Sequence, residues 1–304
     1  MSMEYRGKVI WITGASSGIG EALAHALHKK GAKLILSARR VDELERVKTE
    51  CLAGGTGAGD TATEDTDAGG TGAGDTATED TGTTKATATK PAQNSITILP
   101  LDLSQPETFA EKTTQAINAF GHVDMLINNG GMGQRAKAIE AQMDTIRRVM
   151  EVNFFGTVGL TQAIAPHMTE RGHGSIVVIS SVMGKIGTAW RSTYAASKHA
   201  LHGFFDSMRH EVSDHGINIT LVCPGFVSTD ITKHALLADG STFGKIGRGQ
   251  MHGMPADQFA ETMLAKLGRG KKEIFIGGKE VYAVYLKRIS LNLLDFVLKR
   301  ADIK

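Results

Sequence analysis

Cysteine is scarce in this chain, which has only Cys51 and Cys223 among its 304 residues. Two cysteines cannot form the disulfide framework of a small secreted domain, and such low usage suits a reducing compartment. Long hydrophobic runs are also missing, since no uncharged apolar stretch reaches about 18 residues, so no segment is predicted to span a bilayer. The first strand-like run begins at Val9, which leaves no room for a signal peptide, and we expect a cytoplasmic protein.

An excess of charge of one sign is missing as well. The 34 lysines and arginines nearly balance 32 aspartates and glutamates, and the formal net charge is +2. Because no long basic run occurs either, the sequence predicts no nucleic-acid partner. Hydrophobic residues make up 41% of the chain, which is enough for one sizeable core.

Seven short apolar runs, most of them followed by helix-like segments, predict strands. They occupy residues 9–12, 34–36, 95–102, 123–127, 175–181, 217–223 and 273–276. Strands that alternate with helices at this spacing are typical of a parallel sheet covered on both faces. We therefore predict an α/β fold, a Rossmann-type doubly wound parallel sheet of about seven strands, as a single domain over residues 1–277. One long helix is predicted over residues 143–168, with Pro166 bending or ending it.

A low-complexity insert at about residues 54–92 interrupts this domain. Residues 54–66 recur unchanged at residues 69–81, and residues 54–84 contain seven acidic residues but no basic one. Such a segment cannot bury enough apolar surface to offset its ordering entropy. We predict a disordered surface insert, and an acidic docking tract is the functional alternative.

Residues 278–304 predict a C-terminal amphipathic extension. Its apolar residues between Val281 and Arg300 are interrupted by charges such as Lys287 and Asp295, so the segment should not span a membrane. Three roles suit it: lying on a membrane surface as a peripheral contact, packing on a sister subunit, or covering its own domain.

Glycine and polar residues follow several predicted strands, where parallel sheets bind their ligands. The turn Thr13-Gly14-Ala15-Ser16-Ser17-Gly18-Ile19-Gly20 lies between a strand and a helix. Its glycines would let backbone N–H groups approach a pyrophosphate at the helix N-terminus. The sequence therefore predicts a dinucleotide site.

The end of the second strand predicts which dinucleotide binds. An acidic residue there would bind the 2′-hydroxyl of NAD, but the stretch is Ser37-Ala38-Arg39-Arg40, with no acid before Asp42. A guanidinium and a hydroxyl suit a 2′-phosphate, so NADP(H) is favoured over NAD(H). The alternative is that both arginines form a solvated helix entry.

Tyr194 and Lys198 lie four residues apart on a predicted helix and therefore share one of its faces. A phenol with a pKa of about 10 exchanges protons poorly at neutral pH, and a cation one turn away favours the phenolate. The pair predicts an acid–base group usable near neutral pH, although this spacing alone is also common on helices.

Taken in order, the motifs resemble those of the short-chain dehydrogenase/reductase family of the one-domain type. The matching elements are Thr13-Gly14-x-x-x-Gly18-x-Gly20, Asp102, Asn128-Asn129-Gly130, Asn153, Ser181, Tyr194-x-x-x-Lys198 and Pro224-Gly225-x-x-x-Thr229. Gly130 departs from the family pattern, which has alanine there. Residues 128–135 and 197–205 resemble more closely the group of dehydrogenase/reductase family member 7 and its bacterial relatives. That group includes reductases of steroid, retinoid and other lipophilic carbonyls.

The resemblance implies a role for each catalytic residue. Tyr194 would exchange a proton with the carbonyl or alcohol oxygen, and Lys198 would lower the pKa of Tyr194 and bind the nicotinamide ribose. Ser181 would hold the substrate oxygen, and Asn153 would fix a water in a proton relay that reaches Lys198. The predicted cofactor-binding residues are Gly14, Ser16, Ser17, Gly18, Ile19, Gly20, Ser37, Arg39, Arg40, Asp102, Leu103, Asn129, Gly130, Tyr194, Lys198, Pro224, Gly225, Val227 and Thr229.

Other features of the second half carry less specific predictions. Residues 226–254 combine apolar side chains with glycines and predict a mobile substrate lid. No metal site is predicted, because His199, His202, His210 and His215 lack a metal-ligand pattern and suit a solvated helix face.

The sequence thus predicts an NADP(H)-dependent oxidoreductase that interconverts a carbonyl and a secondary or primary alcohol. Its substrate would be a small, lipophilic molecule, and a homodimer or homotetramer is expected from the resemblance. A 3-oxoacyl thioester reductase would share every motif. A non-catalytic NADP-binding redox sensor is an alternative of another class, and the intact catalytic set argues against it.

Deleting residues 54–90 should leave activity and melting temperature nearly unchanged, because this segment has almost no apolar surface to contribute to the core. Thermal unfolding of the deletion variant beside the full chain tests this expectation. A variant that fails to fold would show that the insert is structural.

Overall fold

Seven parallel strands form one sheet in the order β3-β2-β1-β4-β5-β6-β7. They are β1 (Val9–Thr13), β2 (Lys33–Ser37), β3 (Ile96–Ile98), β4 (Met125–Asn128), β5 (Gly174–Ile179), β6 (Ile217–Pro224) and β7 (Glu273–Ile276). The computed structural model describes residues 4–54, 95–245 and 247–300, so all of the predicted insert except its first residue lies outside the described residues. The predicted doubly wound α/β fold is confirmed.

Helices connect the strands and cover both faces of the sheet. The helices of the first half are α1 (Gly18–Lys29), α2 (Val41–Gly54), α3 (Phe109–Phe120), α4 (Met143–Met150) and α5 (Gly156–Glu170). The helices of the second half are α6 (Ser192–Val212), α7 (Arg248–Met251), α8 (Ala256–Leu267), α9 (Tyr282–Ile289) and α10 (Leu291–Arg300). Short 3₁₀ turns lie at Pro106–Thr108, Val182–Gly184, Ser213–His215 and Lys279–Val281.

The central strand β1 shows why its short apolar run forms a strand buried on both sides. Successive side chains of a strand point to opposite faces. Ile10 and Ile12 belong to the core that contains residues of α1 and α8, whereas Val9 and Trp11 belong to the core on the other face, with residues of α3, α5 and α6. All four side chains are fully buried, as expected for a parallel sheet between two helical layers.

The long helix predicted over residues 143–168 is divided in the structure. A π-helical segment, Glu151–Phe155, separates α4 from α5. Pro166 lies inside α5, which continues to Glu170, so the proline does not end the helix. The widened turn contains Asn153, and π-helical turns are frequent at functional sites.

The C-terminal extension folds back on the domain. Val284 of α9 and Leu294 of α10 are buried against Val182 and Ile186, which follow β5. Several large apolar side chains of the same helices face outwards: Tyr282, Tyr285, Ile289, Leu291, Leu293, Phe296 and Val297. Within the described residues, no helix is both long and apolar enough to cross a membrane.

Candidate active site

The carboxyl ends of the strands open into one cleft with two adjoining cavities. The first cavity, of about 410 Å³, lies over the Gly-rich turn after β1 and the end of β2. The second, of about 590 Å³, lies over the ends of β5 and β6 and the start of α6. Residues common to both linings are Ile19, Asn129, Gly131, Met132, Gly133, Thr229 and Ile231. We call them the dinucleotide cavity and the substrate cavity.

A hydrogen-bonded latch holds the Gly-rich turn against the end of β4. Thr13 Oγ1 accepts hydrogen bonds from the backbone N–H groups of Asn129 and Gly130, at 3.0 and 2.9 Å. The Asn129 side chain donates back to the carbonyl oxygens of Thr13 and Gly14, at 3.0 and 3.1 Å. Asn129 therefore shapes the turn that lines the dinucleotide cavity.

The glycines of the turn are required by space as well as by backbone angle. Gly14 and Gly18 have φ values of 64° and 60°, in the left-handed region that favours glycine. A Cβ on Gly20 would collide with the carbonyl oxygen of Gly14, and one on Gly18 would lie 3.0 Å from the side chain of Thr229. This packing leaves the turn as bare backbone at the N-terminus of α1, with Ser16, Ser17 and Ile19 beside it in the lining.

The far end of the dinucleotide cavity is cationic. Arg39 and Arg40 both line it and are exposed. Arg40 donates to the hydroxyls of Ser16 and Ser17, at 3.2 and 3.0 Å, which ties it to the Gly-rich turn. The two predicted cofactor arginines thus lie where the ends of β1 and β2 meet.

The predicted use of the Ser37 hydroxyl is corrected by the structure. This fully buried hydroxyl donates to the carbonyl oxygen of Leu99 at 2.7 Å and accepts from Trp11 Nε1 at 2.8 Å. Ser37 borders the cavity, but its side chain is engaged in the core and is not directed at a phosphate.

Asp102 and Leu103 form the side wall of the dinucleotide cavity. Asp102 accepts hydrogen bonds from the N–H and hydroxyl of Ser104, at 2.9 and 2.7 Å, which fixes the turn after β3. A Cβ on Gly130 would lie 2.6 Å from Leu103 Cδ1. The glycine that replaces the alanine of the family pattern therefore accommodates this leucine.

Three of the predicted catalytic residues, Ser181, Tyr194 and Lys198, line the substrate cavity. Tyr194 lies on the first turn of α6, and Ser181, which follows β5, lines the same cavity near its hydroxyl. Lys198 lies one turn further along, with Nζ 5.8 Å from the centroid of the Tyr194 ring. The lysine is buried, and its Nζ donates to the carbonyl oxygen of Ile179 at 2.8 Å.

Asn153 links the π-helical turn to the residues around Tyr194 and Lys198 by hydrogen bonds. Its Oδ1 accepts from the backbone N–H of Met132 at 2.8 Å, and its Nδ2 donates to the Met132 carbonyl oxygen at 2.9 Å and to Ser197 Oγ at 3.0 Å. Ser197 in turn donates to the carbonyl oxygen of Tyr194 at 2.8 Å. The amide of Asn153 therefore positions α6, and the water relay stays a prediction.

Burial dominates the acid–base properties of the pair. It raises the pKa of Tyr194, while the Ser181 hydrogen bond and the charge of Arg191 act in the opposite direction. Burial also lowers the pKa of Lys198 to about 8. Burial therefore outweighs the groups that favour the phenolate, and the expectation that Lys198 lowers the pKa of Tyr194 stays a prediction.

Four further predicted residues line the substrate cavity near the end of β6. Pro224, Gly225, Val227 and Thr229 follow one another along the chain there. Gly225 donates its N–H to the carbonyl oxygen of Ile276 at 2.8 Å, which holds this segment on β7. Thr229 borders both cavities, so the segment spans the boundary between them.

The outer wall of the substrate cavity comes partly from the C-terminal extension, whose role the sequence left open. Phe226, Ile231 and Gln250 of the predicted lid line the cavity, but Met251 is 63% exposed and does not. The C-terminal helices add Tyr282, Ala283, Leu286, Val297 and Leu298. The extension therefore covers its own domain, and its residues complete the apolar wall.

The sequence predicted that His202 lies on a solvated helix face, and this prediction is wrong. His202 is buried, its Nε2 lies 2.9 Å from Ser180 Oγ and its Nδ1 lies 3.3 Å from a carboxylate oxygen of Glu273. Ser180 Oγ also donates to the Lys198 carbonyl oxygen at 3.4 Å. This polar network connects α6 to Glu273 at the start of β7. The Lys185 ammonium group lies 2.7 Å from a Glu273 carboxylate oxygen and balances its negative charge.

Two cavity residues were not found from the sequence at all. Arg135 and Arg191 are half-buried and line the substrate cavity. Arg191 lies three residues before Tyr194, a position one helical turn away, and that spacing was the available signal. Arg135 offered none, since it lies in the loop after β4 and reaches the cavity through tertiary contacts.

The donors of the first cavity fit a nicotinamide dinucleotide. A glycine turn free of side-chain atoms at a helix N-terminus accepts a pyrophosphate, and the two arginines present charge at the ribose end. The cavity continues into the one that contains Tyr194, Ser181 and Lys198, so a ligand in the first can reach the second.

Comparison with known proteins gives consistent matches over most of the chain. A model of the short chain dehydrogenase family matches residues 8–66 and 72–239. The "Dehydrogenase/reductase SDR family protein 7-like" of Drosophila melanogaster is 38% identical over 299 residues, which cover 98% of this chain and 81% of that protein. The human "Dehydrogenase/reductase SDR family member 7" is 38% identical over 275 residues, which cover 90% of this chain and 71% of that protein.

Solved structures with the same fold include a short-chain dehydrogenase from Streptomyces avermitilis. It has a TM-score of 0.73 at 24% identity, covering 99% of this chain and 100% of that chain. A short chain dehydrogenase from Burkholderia cenocepacia, in complex with NADP, has a TM-score of 0.68 at 20% identity, with 97% and 99% covered. At these identities the likeness concerns the fold alone.

Substituting Lys198 by methionine should raise the melting temperature at about pH 7 by a few degrees. The pKa of Lys198 is lowered to about 8 in the folded protein, against about 10.4 for an unfolded lysine. Between these values the unfolded chain holds a proton that the folded protein has lost, so rising pH stabilises the fold through this group.

The advantage of Lys198→Met over the natural chain should therefore shrink as the pH approaches about 10. Lys271→Met, at an exposed lysine, is the matched control and should show no such trend. Melting temperatures of the three proteins across this pH range test the prediction. A difference between Lys198→Met and the natural chain that does not change with pH would contradict it.

Proposed function

Because the chain belongs to the short-chain dehydrogenase/reductase family of oxidoreductases, we propose that it interconverts a carbonyl and a secondary or primary alcohol with NADP(H). One observation carries the proposal. Tyr194 and Ser181 line one cavity together with the buried Lys198, one turn further along α6, and that cavity continues into the dinucleotide cavity.

The cofactor supplies the hydride when it is bound, and the protein supplies position and proton control. Since burial raises the pKa of Tyr194, the phenol is protonated at neutral pH and is ready to donate to a carbonyl oxygen. Ser181 lies beside that hydroxyl and offers a second hydrogen bond to the same substrate oxygen. Arg191 and Ser181 favour the phenolate that remains after the transfer.

Lys198 connects this proton donor to the cofactor side of the site. Its Nζ is anchored on the Ile179 carbonyl oxygen, and a Cβ on Gly131 would lie 3.7 Å from Nζ and 3.2 Å from Asn153 Oδ1. Glycine at position 131 therefore leaves the lysine and the asparagine close to each other at the boundary of the two cavities. We assign to this space the ribose hydroxyls and the relay water that the family pattern implies.

NADP(H) is proposed over NAD(H) from the charge at the end of β2. Arg39 is exposed in the lining, Arg40 is anchored on Ser16 and Ser17, and the first acid of the following helix is Asp42. A guanidinium binds a phosphate by two paired hydrogen bonds, and it cannot form such a pair with a single ribose hydroxyl.

A lipophilic carbonyl compound is the substrate class that the cavity wall supports. Phe226, Ile231, Leu286, Val297 and Leu298 provide apolar surface from two separate segments. A 3-oxoacyl thioester reductase is a second candidate, because an acyl chain would contact the same surface. A redox sensor is disfavoured, since it would need neither the catalytic set nor a cavity of about 590 Å³ beside it.

Assembly as a homodimer or homotetramer, peripheral contact with a membrane and a cytoplasmic location remain predictions. The outward faces of α9 and α10 provide the apolar surface for the first two, with Tyr282 71% exposed and Ile289 79% exposed. The exposed face of α9 lies next to the substrate cavity, because Tyr282 also lines it.

Substituting Tyr194 by phenylalanine should abolish carbonyl reduction, by at least about a hundredfold in kcat, because general acid catalysis typically contributes that much. Binding of NADPH, followed by quenching of protein fluorescence, should be retained. Tyr285→Phe, at a half-exposed tyrosine of α9, is the control and should keep full activity. Normal turnover by Tyr194→Phe would end the proposed mechanism.

Substituting Arg39 by aspartate should shift preference from NADPH towards NADH, because a carboxylate repels the 2′-phosphate and accepts hydrogen bonds from a 2′-hydroxyl. The ratio of kcat/KM for the two cofactors is the measurement. Arg6→Asp serves as control, since the exposed Arg6 precedes β1 and lies at the amino end of that strand, opposite to the cleft. An unchanged cofactor ratio in Arg39→Asp would refute this use of the residue.

A further inference from the structure

The substrate cavity contains a pair of arginines that an uncharged lipophilic substrate would leave without an anionic partner. Arg135 and Arg191 both line the otherwise largely apolar cavity. In the parts of the chain that the structure describes, neither guanidinium forms a salt bridge with an acidic residue. Half-buried charges are costly when they are unpaired, so the pair needs an explanation.

The fold places Arg191 in the cavity by several contacts. Its guanidinium donates to the carbonyl oxygen of Gln134 at 3.0 Å, and Ala136 donates its N–H to the Trp190 carbonyl oxygen at 3.1 Å. Trp190 has a φ of 68°, and it is the single non-glycine residue with a positive φ among the described residues. A bulky residue adopts this backbone only where surrounding contacts impose it, and such strain concentrates at functional sites.

Arg135 faces Arg191 from the neighbouring loop. Its backbone N–H donates to the Leu236 carbonyl oxygen at 2.8 Å, and its guanidinium lies 4.8 Å from the centroid of the Phe243 ring. Burial lowers the pKa of Arg191, and the charge of Arg135 lowers it further because the two cations repel each other. The Phe243 ring compensates the charge of Arg135 in part, while Arg191 donates to the backbone carbonyl oxygen of Gln134.

The remaining charges of the cavity do not neutralise this pair. Lys198 and Lys279 add two more cationic side chains to the described lining, and Glu280 is its single acidic residue. The Glu280 carboxylate is already engaged, because Oε1 accepts from the N–H groups of Phe226 and Gly278, both at 2.9 Å. The cavity therefore has an excess of positive charge beside Tyr194.

We propose that Arg191, supported by Arg135, binds an anionic group of the substrate, so that the preferred substrates are amphiphilic ketones or aldehydes with an apolar body and a carboxylate or phosphate. This inference rests on the proposed function. Carboxylates and phosphates match the planar fork of a guanidinium, and the apolar wall of the same cavity accommodates the body. Since Arg191 lies one turn before Tyr194, the anionic group and the reacting carbonyl lie close together.

The test compares charged and neutral forms of the same carbonyl compound. The probes are straight-chain oxo acids with the ketone at different distances from the carboxylate, their methyl esters, and matching ketones with a phosphate monoester. NADPH oxidation gives kcat/KM for each. The natural chain should prefer an acid or a phosphate over the ester of the same chain length, and the better of the two anions identifies the group.

Arg191→Met should lower the acid-to-ester ratio of kcat/KM about tenfold to about a hundredfold, the loss expected for hydrogen bonds to a charged group. Arg135→Met should lower it less, and Arg191→Lys should retain part of it, because the charge remains without the fork. Arg269→Met is the control, since Arg269 is exposed near the amino end of β7, away from the cleft, and should leave the ratio unchanged.

Two results would overturn the proposal. One is a natural chain that prefers the esters over both anions. The other is an Arg191→Met variant in which acid and ester lose activity equally, which would limit the arginine to its effect on Tyr194 or on the fold and exclude binding of an anionic group. Turnover of neutral ketones without any anion preference would leave the proposed function intact, whereas no NADPH-dependent turnover of any probe would contradict the function itself.

Discussion

The hydrogen bond from Lys198 Nζ to the Ile179 carbonyl oxygen is the contact on which the arrangement of the site depends. A buried ammonium group requires an acceptor, and the last residue of β5 provides it at 2.8 Å. This bond fixes the first turns of α6 against the end of β5, so Tyr194 reaches Ser181 across the gap between helix and strand. Arg191, on the turn before, is carried into the same cavity. The polar group of Ser180, His202 and Glu273 supports the helix from the other side.

The two cavities are built by different means. Close packing of the backbone forms the dinucleotide cavity. Hydrogen bonds between Thr13 and Asn129 hold the Gly-rich turn in place, and the missing side chain of Gly20 lets α1 begin close to the Gly14 carbonyl oxygen. Side chains from distant segments make the substrate cavity, where the C-terminal helices close one wall. A change in α9 or α10 would therefore alter the substrate cavity without touching the Gly-rich turn.

Local patterns predicted the features that depend on residues near one another in the chain. The seven strands follow from short apolar runs, and the Tyr194–Lys198 pair follows from helix spacing. Features set by tertiary contact were missed. Nothing in the sequence around Ser37 indicated that Trp11 and Leu99 engage its hydroxyl, and nothing around His202 indicated burial against Glu273. The π-helical turn at Glu151–Phe155 also escaped, because its residues have ordinary helical periodicity and Asn153 is fixed by Met132 and Ser197.

In the proposed reaction the nicotinamide transfers a hydride directly to a carbonyl carbon while Tyr194 provides the proton. The most direct measurement is mass spectrometry of the alcohol formed with NADPH that carries deuterium at the transferable position of nicotinamide C4. We expect one deuterium on the carbinol carbon of the product and none when the reaction is run with unlabelled NADPH in deuterated water. A product alcohol that takes its carbon-bound hydrogen from the solvent would contradict it.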